Sequence, residues 1–216
     1  RLVDYLAPNL SLASKGLLSI ATGSGMLIFA GLILASIGVF NIITCWIVTL
    51  GLIAWNYKSV WNFLNAILIK PIKSFELSWF YIPVVYVFYL LISVNALSII
   101  RPVPFGFDAL SLYMNLPKLL HEYGALVAGG QAYNWSIFMA YGFNLFDSTA
   151  ITLYLSVIPG ILAAIVVLRL ARLFLPLGKS ILAAAVFYSS PIILWQSSFE
   201  AKVDLGLTFI SCSILL

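Results

Sequence analysis

The sequence predicts an all-α polytopic membrane protein of about six transmembrane helices, with an amphipathic helix in its first outer loop. Three observations carry this expectation. Hydrophobic residues make up 63% of the chain and charged residues only 8%, where a soluble domain would carry roughly a quarter charged. Mean hydropathy is +1.10. The apolar residues fall in long unbroken runs, whereas a transmembrane barrel would show short alternating segments. A chain with so little polar surface cannot cover a core in water, so lipid is its solvent and helices are its spanning elements.

Lys15 and Lys58 bracket a run without a charged residue. As one helix that run would be about 60 Å long, roughly twice the hydrocarbon thickness. It must fold back, and Gly38-Val39-Phe40-Asn41 is the natural turn, giving spans at about 17–37 and 42–56. The stretch 57–75 carries Lys58, Lys70 and Lys73 and is broken by Pro71. Trp55, Tyr57 and Trp61 suit an interfacial belt, and 60–69 is expected as a surface-lying amphipathic helix. Residues 1–76 thus form an N-terminal two-span hairpin plus a cytoplasmic interfacial segment, and 77–216 form the transmembrane core.

The third span, 77–100, is entered through Trp79 and Tyr81. A polar stretch, 101–147, follows. The fourth span, 148–168, should kink at Pro159-Gly160. Arg169, Arg172 and Lys179 surround a short connection with Pro176 and Gly178. A fifth span covers 180 to about 199, and a sixth begins near Val203. The chain opens on Arg1 and stops at Leu216 inside an apolar run, as expected of a piece of a longer protein whose core is cut at its C-terminal side.

Charge sets the expected orientation. With the N-terminus inside, Arg1, Lys15, Lys58, Lys70, Lys73, Arg169, Arg172 and Lys179 are cytoplasmic against Asp4 and Glu76. Arg101, Lys118 and Lys202 lie outside against Asp108, Glu122, Asp147, Glu200 and Asp204. That asymmetry follows the positive-inside rule. It also accounts for the net charge of +4 without nucleic acid.

The outer loop holds the chemistry. Asp108, Ser111, Asn115, Lys118 and Glu122 recur at steps of three or four, one polar stripe on a helix. The plainer reading is a solvated face that anchors the loop on the outer membrane surface. Pro117 should kink or break this helix near Leu116. Glu200 and Asp204 are four apart and share a helical face, approached by Ser189, Ser190, Gln196, Ser197 and Ser198. Polar groups near membrane depth are costly unless they face a cavity or one another; the plainer reading is an exposed hinge.

Other features carry less. His121 has no second ligand nearby for zinc and reads as solvated or interfacial. Cys45 and Cys212 lie in apolar runs and read as buried small hydrophobes. Gly129-Gly130-Gln131 lacks any phosphate-loop context and reads as a turn. No nucleophile triad is present. What remains is two carboxylate clusters at the outer face, suited to general-base work on a hydroxyl or to holding a divalent cation against a phosphate.

The words FGFDALSLYMNLPKLL, beginning at Phe105, and FEAKVDLGLTF, beginning at Phe199, resemble the GT-C class of integral-membrane glycosyltransferases, in particular the protein-mannosyltransferase and aminoarabinose-transferase branches. The likeness runs from about 77 to 216 and implies a GT-C-like catalytic core. It implies a polyprenyl-phosphate-linked sugar donor, an extracytoplasmic acceptor (lipid, glycan or protein), and a multi-pass protein of a prokaryotic plasma membrane with its active-site loop outside. It assigns Asp108 as the catalytic base and Asp204 as a second acid of the same cavity. Glu200 and Lys202 are neighbours of that acid. Tyr113, Asn115, Lys118 and Glu122 complete the candidate donor-binding set. A divalent cation held by Asp108 and Asp204 is the one cofactor to consider. Relatives with a Glu-Lys-Pro segment have no counterpart in GGQAYNW, which carries no lysine for a donor phosphate. The competing expectation is a transporter or lipid flippase whose outer-mouth carboxylates bind cations or protons.

Overall fold

The computed structural model describes residues 3, 10–68, 78–98, 100, 113–127, 134–197 and 204–216. They are helical, with no strand among the described residues. The helices are α1 (Leu12–Ser36), α2 (Ile42–Leu68), α3 (Ile82–Ser98, entered through a 3₁₀ turn at Trp79–Tyr81), α4 (Asn115–Tyr123), α5 (Asn134–Phe146), α6 (Thr149–Ala171), α7 (Leu177–Ser189), α8 (Pro191–Trp195) and α9 (Asp204–Ser213). Three segments are long and apolar enough to cross a membrane, Leu12–Ser36, Trp79–Ser98 and Thr149–Ala171, with shorter apolar helices at Ile42–Tyr57 and Leu177–Ser189. The chain is an all-helical membrane protein.

α3 shows the solvent most plainly. Its one residue in the buried class is polar, Asn95, while Val85, Tyr86, Val87, Tyr89, Leu90, Val94 and Leu97 are exposed. In water that would be inside-out; in hydrocarbon the apolar face needs no cover, and the polar side chain must turn inward.

The turn after α1 falls where the sequence puts it. Gly38 adopts φ 75°, a left-handed conformation that costs glycine nothing. Asn41 Oδ1 accepts from the Ile43 and Thr44 amides at 3.0 and 3.2 Å and caps α2. Beyond the turn α2 differs from expectation. The span at 42–56 and the surface helix at 60–69 are one continuous helix, Ile42–Leu68. No proline interrupts it, and Asn56 turns its amide back onto the Leu52 carbonyl at 3.1 Å, a bond within the helix. α1 and α2 diverge around an apolar cleft of about 480 Å³ lined by Thr22, Met26, Phe29, Ile33, Val48 and Leu52.

α6 is the axis of the bundle. Ser148 caps it by accepting from the Ile151 amide at 3.3 Å. The helix runs on through Pro159 to Ala171. Small residues on it admit neighbours closely, as is usual between membrane helices. Phe209 of α9 and Leu17 and Ala21 of α1 cluster with Ala163 and Val166. At its far end Arg169 donates to Ser11 Oγ, and to Ser14 Oγ at 3.4 Å. The side chain that caps α1 is therefore also its tie to α6.

α5 is the most enclosed element. Trp135, Ser136, Ile137, Met139, Ala140, Tyr141, Phe143 and Asn144 are all buried. Gly142 lies so near Thr152 that a Cβ would come within 2.6 Å of its hydroxyl. Tyr141 sets its ring edge-on to Phe40, centroids 5.3 Å apart, and donates to the Leu27 carbonyl at 3.2 Å.

The expected fifth span is broken. Ser190 is extended (φ −60°, ψ 136°) between α7 and α8, where Pro191 has no amide to continue the helix and sits at the first position of the next.

Candidate functional site

Asn95 is the natural starting point, because a buried amide among lipid-facing residues must find partners. It donates through Nδ2 to Tyr188 Oη at 2.9 Å and to Ser197 Oγ at 2.5 Å. All three side chains are buried. Hydrogen bonds of this kind between membrane helices are worth about 0.6–2 kcal/mol each. They join α3, α7 and the turn after α8. Tyr188 also places its ring against Phe88 of α3, centroids 5.6 Å apart.

The residue beside Ser197 carries the layer to an acid. Gln196 Nε2 donates to Asp204 Oδ2 at 3.2 Å. Asp204 is the first residue of α9 and is exposed. Its carboxylate sits at the positive end of that helix dipole, a favourable place for negative charge.

The depth of this acid departs from the expected outer hinge. Leu205 and Ser197 both lie against Gly160, about 16 Å along α6 from its Thr149 end and near the middle of the helix. The next residue, Gly206, lies against the Trp135 indole at the start of α5. Asp204 therefore stands level with the interior of the longest buried helix. The physical reason is the break at Ser190: α7 ends partway along the bundle, and α9 starts again from that level.

α4 bears the rest of the described set. Asn115, Lys118 and Glu122 are exposed and Tyr113 is half-buried. The expected polar stripe is real over this helix, with Lys118 and Glu122 paired at 3.7 Å and Pro117 and Leu120 buried on the other side. Pro117 stands in the first turn, where a missing amide is harmless, so it starts the helix and does not interrupt it. The helix is packed onto the bundle. Its C-cap Gly124 (φ 64°) accepts from the Phe40 amide at 2.9 Å, and Leu126 donates to the Ala35 carbonyl at 3.1 Å. Met114, just before α4, joins the cluster of Trp135, Met139, Phe143, Leu153 and Val157. The start of α4 thus belongs with Trp135, which covers Gly206 beside Asp204, while Lys118 and Glu122 lead away toward the α1–α2 turn. Asp108, Glu200 and Lys202 lie outside the described residues.

A second polar group has no counterpart in the sequence reading. His121 Nδ1 is 2.7 Å from Asn144 Oδ1, and Asn144 Nδ2 donates to Cys45 Sγ at 3.4 Å. His121 Nε2 faces Asp147 Oδ1 at 4.0 Å, and the imidazole stacks on Phe143 at 6.0 Å. The histidine is a half-buried tie between α4 and α5, with Cys45 of α2 as third member. Among the described residues no three His, Cys, Asp or Glu side chains gather to hold a metal.

Two signals could have located these groups: Asn95 is the only amide in its span, and polar side chains at membrane depth seek partners. Compared with known proteins, the chain matches no protein-family model, no curated protein and no solved structure.

Proposed function

We propose that the protein is a membrane glycosyltransferase that moves a sugar from a polyprenyl-phosphate-linked donor to an acceptor hydroxyl outside the cytoplasm. The observation that carries this reading is the anchoring of the two ends of the stretch that bears Asp108. On one side Asn95, near the end of α3, bonds to Ser197 beside the Gln196–Asp204 pair. On the other, Met114 belongs to the apolar cluster that includes Trp135, whose ring covers Gly206. One end is tied to the level of Asp204 and the other joins the cluster beside it, which supports one site served by both acids.

In this reading Asp108 takes the proton from the acceptor hydroxyl as its oxygen bonds to the anomeric carbon. The bond from that carbon to the phosphate oxygen breaks, and the polyprenyl phosphate leaves with the electron pair. Negative charge growing on the phosphate needs a cation, supplied by Lys202 or a divalent ion. Six spans, an N-terminus inside and an outward-facing site complete the proposal. The test is Asp108→Asn in the full-length protein in lipid nanodiscs, with transfer from polyprenyl-phosphate sugars as readout. Transfer lost at normal expression supports the base assignment; retained turnover defeats it.

A carrier is the second reading, favoured by the depth of Asp204 beside the middle of α6. A carrier would move an intact solute across vesicles and leave the lipid-linked sugar uncleaved.

A further inference from the structure

The connection between α6 and α7 gathers basic and apolar side chains at one end of the bundle. Arg172, Phe174 and Lys179 are all exposed. Arg172 Nη1 donates to the Leu175 carbonyl at 3.3 Å, and Ser180 Oγ donates to the same carbonyl at 3.3 Å. One carbonyl thus draws Arg172 and the residue after Lys179 together, and a guanidinium has donors to spare beyond that bond. The turn that enters α3 packs on the same place. Tyr81 lies against Gly178, where an added Cβ would come within 2.2 Å of its ring. Beside it Trp79 and Phe80 are exposed.

Charge at this end has one sign among the described residues. Arg169 is tied to Ser11 and Ser14, whereas Arg172 and Lys179 meet no described carboxylate. Glu122 and Asp147 lie toward the Thr149 end of α6, near His121. Asp204 stands beside the level of Gly160, about 16 Å along α6 from Ala171, beyond the range over which charges act strongly through salt water. In the sequence before the turn, Lys70 and Lys73 outnumber Glu76.

We propose that Arg172 and Lys179 form a binding site for the phosphate of an anionic phospholipid, with Trp79, Phe80 and Phe174 seated in the leaflet beside it. Charge complementarity selects the headgroup, because unneutralised cations at the end of a span attract anionic lipid. The exposed rings select a lipid over a soluble phosphate, since aromatic side chains at this level belong in the membrane interface. The site is independent of the transferase reading.

The experiment places the full chain in nanodiscs of equal phosphatidylglycerol and phosphatidylcholine and counts the lipids retained on release, by native mass spectrometry. Wild type should keep phosphatidylglycerol in clear preference. Arg172→Gln and Lys179→Gln should each lower that preference about fivefold, the effect of one cation near the surface, and the double variant should show little preference. Arg172→Lys keeps the charge and should keep most of the preference. Trp79→Ala with Phe80→Ala should weaken retention of both lipids and leave the preference in place. Equal retention of the two lipids by wild type overturns the site. So does an equal loss in Lys58→Gln, which removes the same charge from α2 and would reveal bulk attraction only. Displacement of phosphatidylglycerol by millimolar inorganic phosphate overturns it as well, because the ligand would then be a soluble anion.

Discussion

Trp135 donates from Nε1 to the carbonyl of Leu155 at 2.8 Å. That carbonyl is the one Pro159 leaves without a helical partner, since proline has no amide to return four residues back. An indole from α5 thus completes the hydrogen bonding of α6 where the helix is deepest in the bundle, and an unpaired carbonyl there would be costly.

Trp135→Phe should therefore cost about 1–3 kcal/mol, the usual penalty for a buried group left unpaired. Pro159→Ala restores the amide and makes the indole bond dispensable. The two changes together should be less harmful than their sum. Thermal unfolding of the single and double variants in one detergent measures the coupling.

Gly206 should tolerate no side chain. A Cβ there would lie 2.2 Å from the Trp135 ring, a ring held by its hydrogen bond and by the surrounding cluster. Gly206→Ala should destabilise by about 1–3 kcal/mol through overpacking. Gly25→Ala serves as control, with nothing within 4 Å of the added carbon. Equal melting temperatures for the two variants would contradict the packing described.

Asn144→Leu removes the shared partner of His121 and Cys45. Loss of about 1–3 kcal/mol is expected from the groups left unpaired. Because the tie fastens α4 to α5, hydrogen exchange should rise in 115–123 before it rises in α6. Uniform loss of protection along the chain would mean that Asn144 supports the whole bundle and not this junction.

The two ends of α6 should face opposite sides of the membrane. Asn41→Cys, in the turn near the Thr149 end, and Leu173→Cys, just beyond Ala171, should react with an impermeant maleimide from opposite faces of sealed vesicles. The charge asymmetry predicts that Leu173 is the cytoplasmic one. Labelling of both from one face would refute α6 as a span.

Much of this architecture was legible in the residues. The absence of charge from Lys15 to Lys58 demanded a turn, and Gly38 supplied a residue able to make it. The α4 stripe followed from helical spacing, and Lys118 and Glu122 do meet. Pro159 was legible as the weak point of its helix, but what bonds the carbonyl it frees was not, because Trp135 is distant in sequence. The division of α2 at Asn56 failed because Lys58 suggested an interface, while local geometry gave the helix no reason to stop. The depth of Asp204 was hidden for a similar reason. Hydropathy registers that α7 is apolar but not that Ser190-Pro191 halts it partway, and the Asn95–Tyr188–Ser197 layer is built from residues about a hundred positions apart.

The central claim is that the stretch bearing Asp108 and the turn bearing Asp204 serve a single site. The most direct measurement is the spacing between spin labels at Asp108→Cys and Asp204→Cys, in a Cys45→Ala, Cys212→Ala background of the full-length protein in nanodiscs. A short, narrow distance distribution is the predicted result. Labels separated by the width of the bundle would contradict it.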